Sequence, residues 1–95
     1  MLFRSTSGIY NTAIGGGVVG SNTGALGQNT TGQSNTAMGY GALALNTTGS
    51  QSTAVGYQAL YTQTTNSNST AVGAYALKLS TGNYNTALEI GRAHV

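Results

Sequence analysis

The side chains able to carry catalysis are few and poorly placed for it. The 95 residues hold one acid, one histidine and three bases. Glu89, Arg92 and His94 crowd into the last seven positions, which leaves Arg4 and Lys78 for residues 1–88. General acid–base chemistry needs paired carboxylates or a histidine oriented by one, and nucleophilic catalysis needs a hydroxyl or thiol beside a base. With no Asp and no Cys, carboxylate pairs, Ser-His-Asp arrangements and metal clusters fall together. Lys78 lies among many hydroxyls, yet nothing in the pattern activates it as the partner of a serine nucleophile, and it reads as a solvated surface residue. The expectation is a protein that is no enzyme and takes no metal or cofactor.

Other motifs weigh little. The stretch GGGVVG satisfies G-x-G-x-x-G at Gly15, Gly17 and Gly20. A dinucleotide site also needs a following helix and an acid about 20 residues on, and neither is present. A glycine-rich turn is the better reading. Calcium-binding glycine repeats need periodic Asp, which is absent. The tyrosines at 10, 40, 57, 61, 75 and 84 could stack on sugars if exposed, but packing between repeats is favoured. Sequons at Asn29, Asn46 and Asn68 read as turn or ladder residues. The formal charge of +2 is too small and scattered to suggest nucleic acid.

The elements behind these residues announce themselves by repetition. NTAMGYGAL (35–43), STAVGYQAL (52–60) and STAVGAYAL (69–77) superpose directly. Ala-aliphatic-Gly also recurs at Ala13-Ile14-Gly15 and Ala25-Leu26-Gly27, and the array continues through Ala37-Met38-Gly39, Ala54-Val55-Gly56, Ala71-Val72-Gly73 and Ala87-Leu88. Alanines 13, 25, 37, 54, 71 and 87 are thus spaced by 12, 12, 17, 17 and 16. Connectors such as NTTGSQ and QTTNSN supply turn chemistry between them. Only 4% of residues are charged, with 15 Gly and no Pro, Cys or Trp. Such a composition resembles disordered low complexity, but the strict phase makes it a structural repeat.

A helix is excluded by the Gly two residues after nearly every core Ala, each costing about 1 kcal/mol inside a helix. Thr, Val and Tyr favour a pleated surface instead. Alternation in STAVGYQAL puts Thr53, Val55, Tyr57 and Ala59 on one face and Ala54, Gly56, Gln58 and Leu60 on the other. The expected fold is all-β, a repetitive parallel β-solenoid with one coil per 12–17-residue repeat. Its ladders would be Ile14, Leu26, Met38, Val55, Val72 and Leu88 in one row and Leu43, Leu60 and Leu77 in another. Each fully buried aliphatic would contribute roughly 1.5–3 kcal/mol. The small Ala and Gly residues suit a second face packed on another chain.

Residues 89–95 break the pattern where Gly is due. They can be encoded by GAG ATC GGA AGA GCA CAC GTC, which from its second base matches a widely used sequencing adapter. The remaining G begins any glycine codon. The expectation is an array over 1–88, cut mid-repeat at both ends from a longer fibre, followed by a non-native 89–95.

Units such as NTAMGYGALALNTTGSQSTAVGYQAL resemble the head repeats of YadA-like trimeric autotransporter adhesins and related repeats of phage tail fibres. The resemblance covers residues 2–88, and the small-residue core ending in aliphatic-Gly matches Thr36–Gly39, Thr53–Gly56 and Thr70–Gly73. The 17-residue units, with their added A-L-x-x-N-T-T-G connector, depart from the family pattern. The resemblance implies a left-handed parallel β-roll, three identical chains side by side, displayed extracellularly on a bacterial outer surface or a phage tail. It implies attachment to host cells or surfaces through an unidentified receptor or glycan, with any membrane contact made by an anchor outside this segment. An ice-binding β-solenoid is the remaining alternative, suggested by Thr pairs 30/31, 47/48 and 64/65 in a chain with few charges.

Overall fold

A computed structural model describes residues 8–16, 24–80 and 82–88. Five three-residue strands, β1 (Thr12–Ile14), β2 (Thr36–Met38), β3 (Thr53–Val55), β4 (Thr70–Val72) and β5 (Thr86–Leu88), form one sheet in chain order. Every neighbouring pair is parallel and in phase: Thr faces Thr, Ala faces Ala, aliphatic faces aliphatic. Strands this short joined in this order require the chain to return to its starting side once per repeat. The result is a parallel β-solenoid, with three successive turns between β2 and β5.

The register corrects the repeat length. Thr12 pairs with Thr36, 24 residues on, so no 12-residue coil exists among the described residues. Ala25-Leu26-Gly27 is not a strand core. The Leu26 amide donates to Ala42 O, as the Leu43 amide does to Ala59 O and the Leu60 amide to Ala76 O. Leu26 therefore belongs to the Leu43–Leu60–Leu77 row, and GALGQNTTG (24–32) is the counterpart of GALALNTTG (41–49). The first turn exceeds the two 17-residue turns by seven residues, which fall between Gly15 and Gly24, and residues 17–23 there lie outside those described.

Burial reverses the inside and outside of the expected aliphatic row. Ala37, Ala54 and Ala71 are wholly buried, while Ile14 is 54% exposed, Met38 40% and Leu88 70%. Val55 and Val72 are half-buried. The strands turn their alanines inward and their Thr and aliphatic side chains outward. The interior of each turn is closed by a second alanine (Ala42, Ala59 or Ala76) and a leucine of the other row. The pleat alternation holds for Thr53, Val55 and Tyr57 but fails beyond Gly56, since Ala59 is buried with Leu60 and Gln58 is half-exposed. Backbone geometry explains the failure. Gly56 has φ +127°, and Gln58 and Leu60 have φ +55° and +53°, so the strand ends in a corner. Leu26, Leu43, Leu60 and Leu77 all lie between φ +51° and +53°. A non-glycine residue there costs about 1–2 kcal/mol, offset by burial of the leucine side chain.

Gly39, Gly56 and Gly73 stand over one another at the strand ends. A Cβ on Gly56 would lie 2.6 Å from the Gly73 carbonyl carbon, so the turns approach through their bare backbones.

A polar column runs beside the alanines. Asn35 N–H donates to Asn11 Oδ1 (2.9 Å), Ser52 N–H to Asn35 Oδ1 (3.0 Å), Ser69 N–H to Ser52 Oγ (3.3 Å) and Asn85 N–H to Ser69 Oγ (3.3 Å). A second column begins with Asn46 Nδ2 donating to Asn29 Oδ1 at 2.9 Å. At the next turn the residue is Gln63, and its Nε2 reaches instead to Ser52 Oγ (2.9 Å). In the turn below, where position 35 is Asn, the Asn35 side chain itself spans the interior to Gly49 O (2.8 Å). The longer Gln63 thus fills the space left by the shorter Ser52. The exchange leaves Asn46 Oδ1 and Gln63 Oε1 without partners among the described residues. A buried unsatisfied group costs about 1–3 kcal/mol.

Two outcomes are expected in thermal melts. Ser52→Asn and Gln63→Asn together should rebuild the amide column and give Asn46 Oδ1 a donor. Their coupling should be favourable by about 1 kcal/mol or more, each single change being neutral or destabilising; purely additive effects would refute the pairing. Gly56→Ala should lower stability by on the order of 3 kcal/mol, from φ strain plus the backbone clash, whereas Gly16→Ala, with open space around it, should cost far less.

Candidate functional site

The sequence candidates for chemistry are not assembled into a site. Arg4, Glu89, Arg92 and His94 lie outside the described residues, as do Gly17 and Gly20 of the glycine motif. Gly15 closes strand β1 at φ +124° and stacks on Gly39, the same corner role as Gly56. Among the described residues no cluster of three metal-ligating side chains occurs, and no helix is long and apolar enough to cross a membrane. Asn29 and Asn46 of two sequons are wholly buried, so a glycan there is incompatible with this fold. Asn68 is half-buried and donates to Gln51 Oε1 (3.0 Å).

The Thr pairs weighed for ice recognition sit at a corner rather than on a strand. Thr30 and Thr47 spend their hydroxyls on Thr47 O and Thr64 O of the next turn (3.1 and 3.2 Å). The outward threonines of the sheet are a different set, Thr12, Thr36, Thr53, Thr70 and Thr86, each followed two residues on by an aliphatic side chain.

The aromatic corner next to this sheet is the most organised surface feature. Tyr40 and Tyr57 follow the corner glycines Gly39 and Gly56, and the 17-residue step sets one ring above the other. Their centroids are 5.3 Å apart with planes 13° from parallel. The next turn reads Gly73-Ala74-Tyr75, so its tyrosine arrives one position late, at φ +63°. Tyr75 therefore meets Tyr57 edge-on, at 5.2 Å and 73°. The turns are joined here by Gln58 N–H to Tyr40 O and Tyr75 N–H to Tyr57 O, both 2.8 Å. The expected packing of tyrosines between repeats thus describes Tyr40, Tyr57 and Tyr75, while Tyr10 and Tyr84 are largely exposed.

Lys78 completes the corner. It stands 17 residues after Tyr61, and its Nζ lies 5.1 Å from the Tyr75 ring centroid and 6.0 Å from that of Tyr61. The single described charge of the chain is thus held over two rings on adjacent turns. The reading of Lys78 as merely solvated missed this. The period sets Tyr61 one turn below Lys78, but the one-position displacement of Tyr75 that completes the corner breaks the period. Crowding also acts on Tyr57, whose pKa is raised. Partial burial is the largest cause, followed by the charges that Tyr75 and Tyr40 carry when ionised, a hydrogen bond with Tyr75, and the charge of Tyr61.

No family model, curated protein or solved structure matches the chain.

An alkaline absorbance titration should show one tyrosine ionising later than the rest, and Tyr57→Phe should remove that late phase. A folded-state value raised above the ordinary 10.0 favours the neutral phenol in the fold. Its contribution to stability is complete below pH 10.0 and is lost as pH rises through the folded value. Ionisation of all tyrosines in one phase, unchanged by the substitution, would refute the crowding.

Proposed function

We propose that the chain is a structural segment of an extracellular surface fibre, a homotrimer of left-handed β-rolls that supports attachment to host cells or surfaces. A bacterial adhesin head or stalk and a phage tail-fibre shaft both use such a segment as a stiff spacer that holds a binding element away from its base. The observation that supports this reading is the outward face of the sheet. There Ile14, Met38 and Leu88 are 54%, 40% and 70% exposed, beside an unbroken row of threonines and without a charged side chain among the described residues. Such a row repeats at strand spacing, about 4.8 Å. A second copy of the chain has the same period and can therefore engage every rung in register. Covering this row would add apolar burial that the thin interior of two alanines and one leucine per turn lacks.

The full sequence has only three Lys or Arg, far fewer than a protein that neutralises a nucleic-acid backbone by many phosphate contacts. Contact with a membrane would come through an anchor elsewhere in the fibre.

Sedimentation equilibrium should give three times the chain mass of 9.5 kDa, with a single cooperative melting transition. Val55→Asp with Val72→Asp places charges on the outward row and should shift the mass to monomer. An intact, cooperatively folded monomer in the unsubstituted protein would refute the trimer.

A further inference from the structure

We propose that the corner formed by Tyr40, Tyr57, Tyr75, Tyr61 and Lys78 is a binding site for an anionic glycan, a polysaccharide whose sugars bear carboxylate or sulfate groups. This extends the attachment role to a named surface, but it rests on the surface of one chain and not on the trimer.

Three observations converge. The first is electrostatic. Among the described residues Lys78 is the one charge and no acid accompanies it, so no described carboxylate opposes its field on this surface. The second is pre-organisation. Lysine usually loses much rotamer freedom on binding, but here Nζ is already held over Tyr75 and Tyr61, at 5.1 and 6.0 Å, so less is lost when an anion arrives. The third is what the tyrosines leave on offer. Tyr40 and Tyr57 each cover one face of the other and Tyr75 stands edge-on to Tyr57, so Tyr57 is flanked by a ring on both sides. Tyr57 and Tyr75 nevertheless remain 43% and 47% exposed. Flat stacking of a sugar on Tyr57 is disfavoured by this arrangement. Hydrogen bonding to sugar hydroxyls is favoured, because a tyrosine holds its O–H on a stiff two-torsion side chain.

The three rings come from three successive turns, with neighbouring centroids 5.3 and 5.2 Å apart, so they form a row that follows the solenoid. A linear glycan lying along the axis would meet successive phenols and then the ammonium. A nucleic acid is a polyanion as well, so an oligonucleotide separates a glycan site from a general response to negative charge.

The test is affinity electrophoresis and titration calorimetry of the whole chain in its native assembly. The probes are alginate (carboxylate), dextran sulfate (sulfate), neutral dextran and a single-stranded oligonucleotide at equal charge concentration. Binding is expected to alginate or dextran sulfate and not to dextran, and the preferred polymer identifies the acid. Lys78→Met should weaken binding about fivefold, Lys78→Arg should retain it, and Tyr75→Phe should weaken it about twofold, as expected for an exposed charged contact and a neutral hydrogen bond. Failure to bind either anionic polymer, or unchanged binding by Lys78→Met, would overturn the site. So would equal affinity for the oligonucleotide, which would mark a generic polyanion effect. If Lys78→Met instead lowers the sedimentation mass, the corner is an interface between copies; the glycan site is then refuted while the fibre reading stands.

Discussion

Close approach of successive backbones governs everything else in this molecule. Stacked turns lie one strand spacing apart, about 4.8 Å, and at the corner glycines nothing but backbone separates them. A Cβ at Gly39 would come within 3.0 Å of Gly56, and one at Gly56 within 2.6 Å of Gly73. Behind each strand the inside of a turn holds alanine rather than a large side chain. Alanine is the residue that fits behind each strand, and the leucine of each turn enters only because the backbone bends to φ near +50° to admit it. The composition, poor in charge and rich in Gly, Ala, Ser, Thr and Asn, is the chemical image of a narrow tube.

A tube with so little apolar content must define its register by other means. The amide and hydroxyl columns supply them. Buried Asn35, Ser52 and Ser69 each receive a backbone N–H from the turn above or offer one to the turn below, so a slip of one residue would bury many unpaired polar groups at once. Apolar contacts among alanines are nearly indifferent to such a slip. The specificity of the fold therefore lives in its buried polar atoms, and its outward apolar row is left over for other use.

Much of this was legible in the sequence, and the failures have definite causes. The 17-residue period, the parallel stacking and the strand cores at Ala37, Ala54 and Ala71 follow from repetition and from glycine placement. The 12-residue spacing did not survive because Ala25-Leu26-Gly27 imitates a strand core while its true counterpart is the Ala42-Leu43 corner; only pairing across turns separates the two. The sense of the strands was also misjudged. Aliphatic residues are ordinarily taken as the buried set, yet inside so narrow a turn the alanine goes in and Ile14, Met38 and Leu88 go out. The Lys78 corner was hidden for a different reason, since it depends on a tyrosine displaced by one position, visible only when three dimensions bring Tyr61 and Tyr75 under one ammonium.

The pairing of Ser52 with Gln63, and of Asn35 with Gly49, joins residues within a single turn. Each turn thus carries both halves of its own internal fit, and its contacts with its neighbours use the same few backbone and amide groups at every level. A gene encoding such turns can lengthen or shorten by whole units through recombination between repeats, and the matched pair is inherited together. Variation that would be lethal in an ordinary core, where a residue's complement lies far along the chain, becomes a change of reach alone.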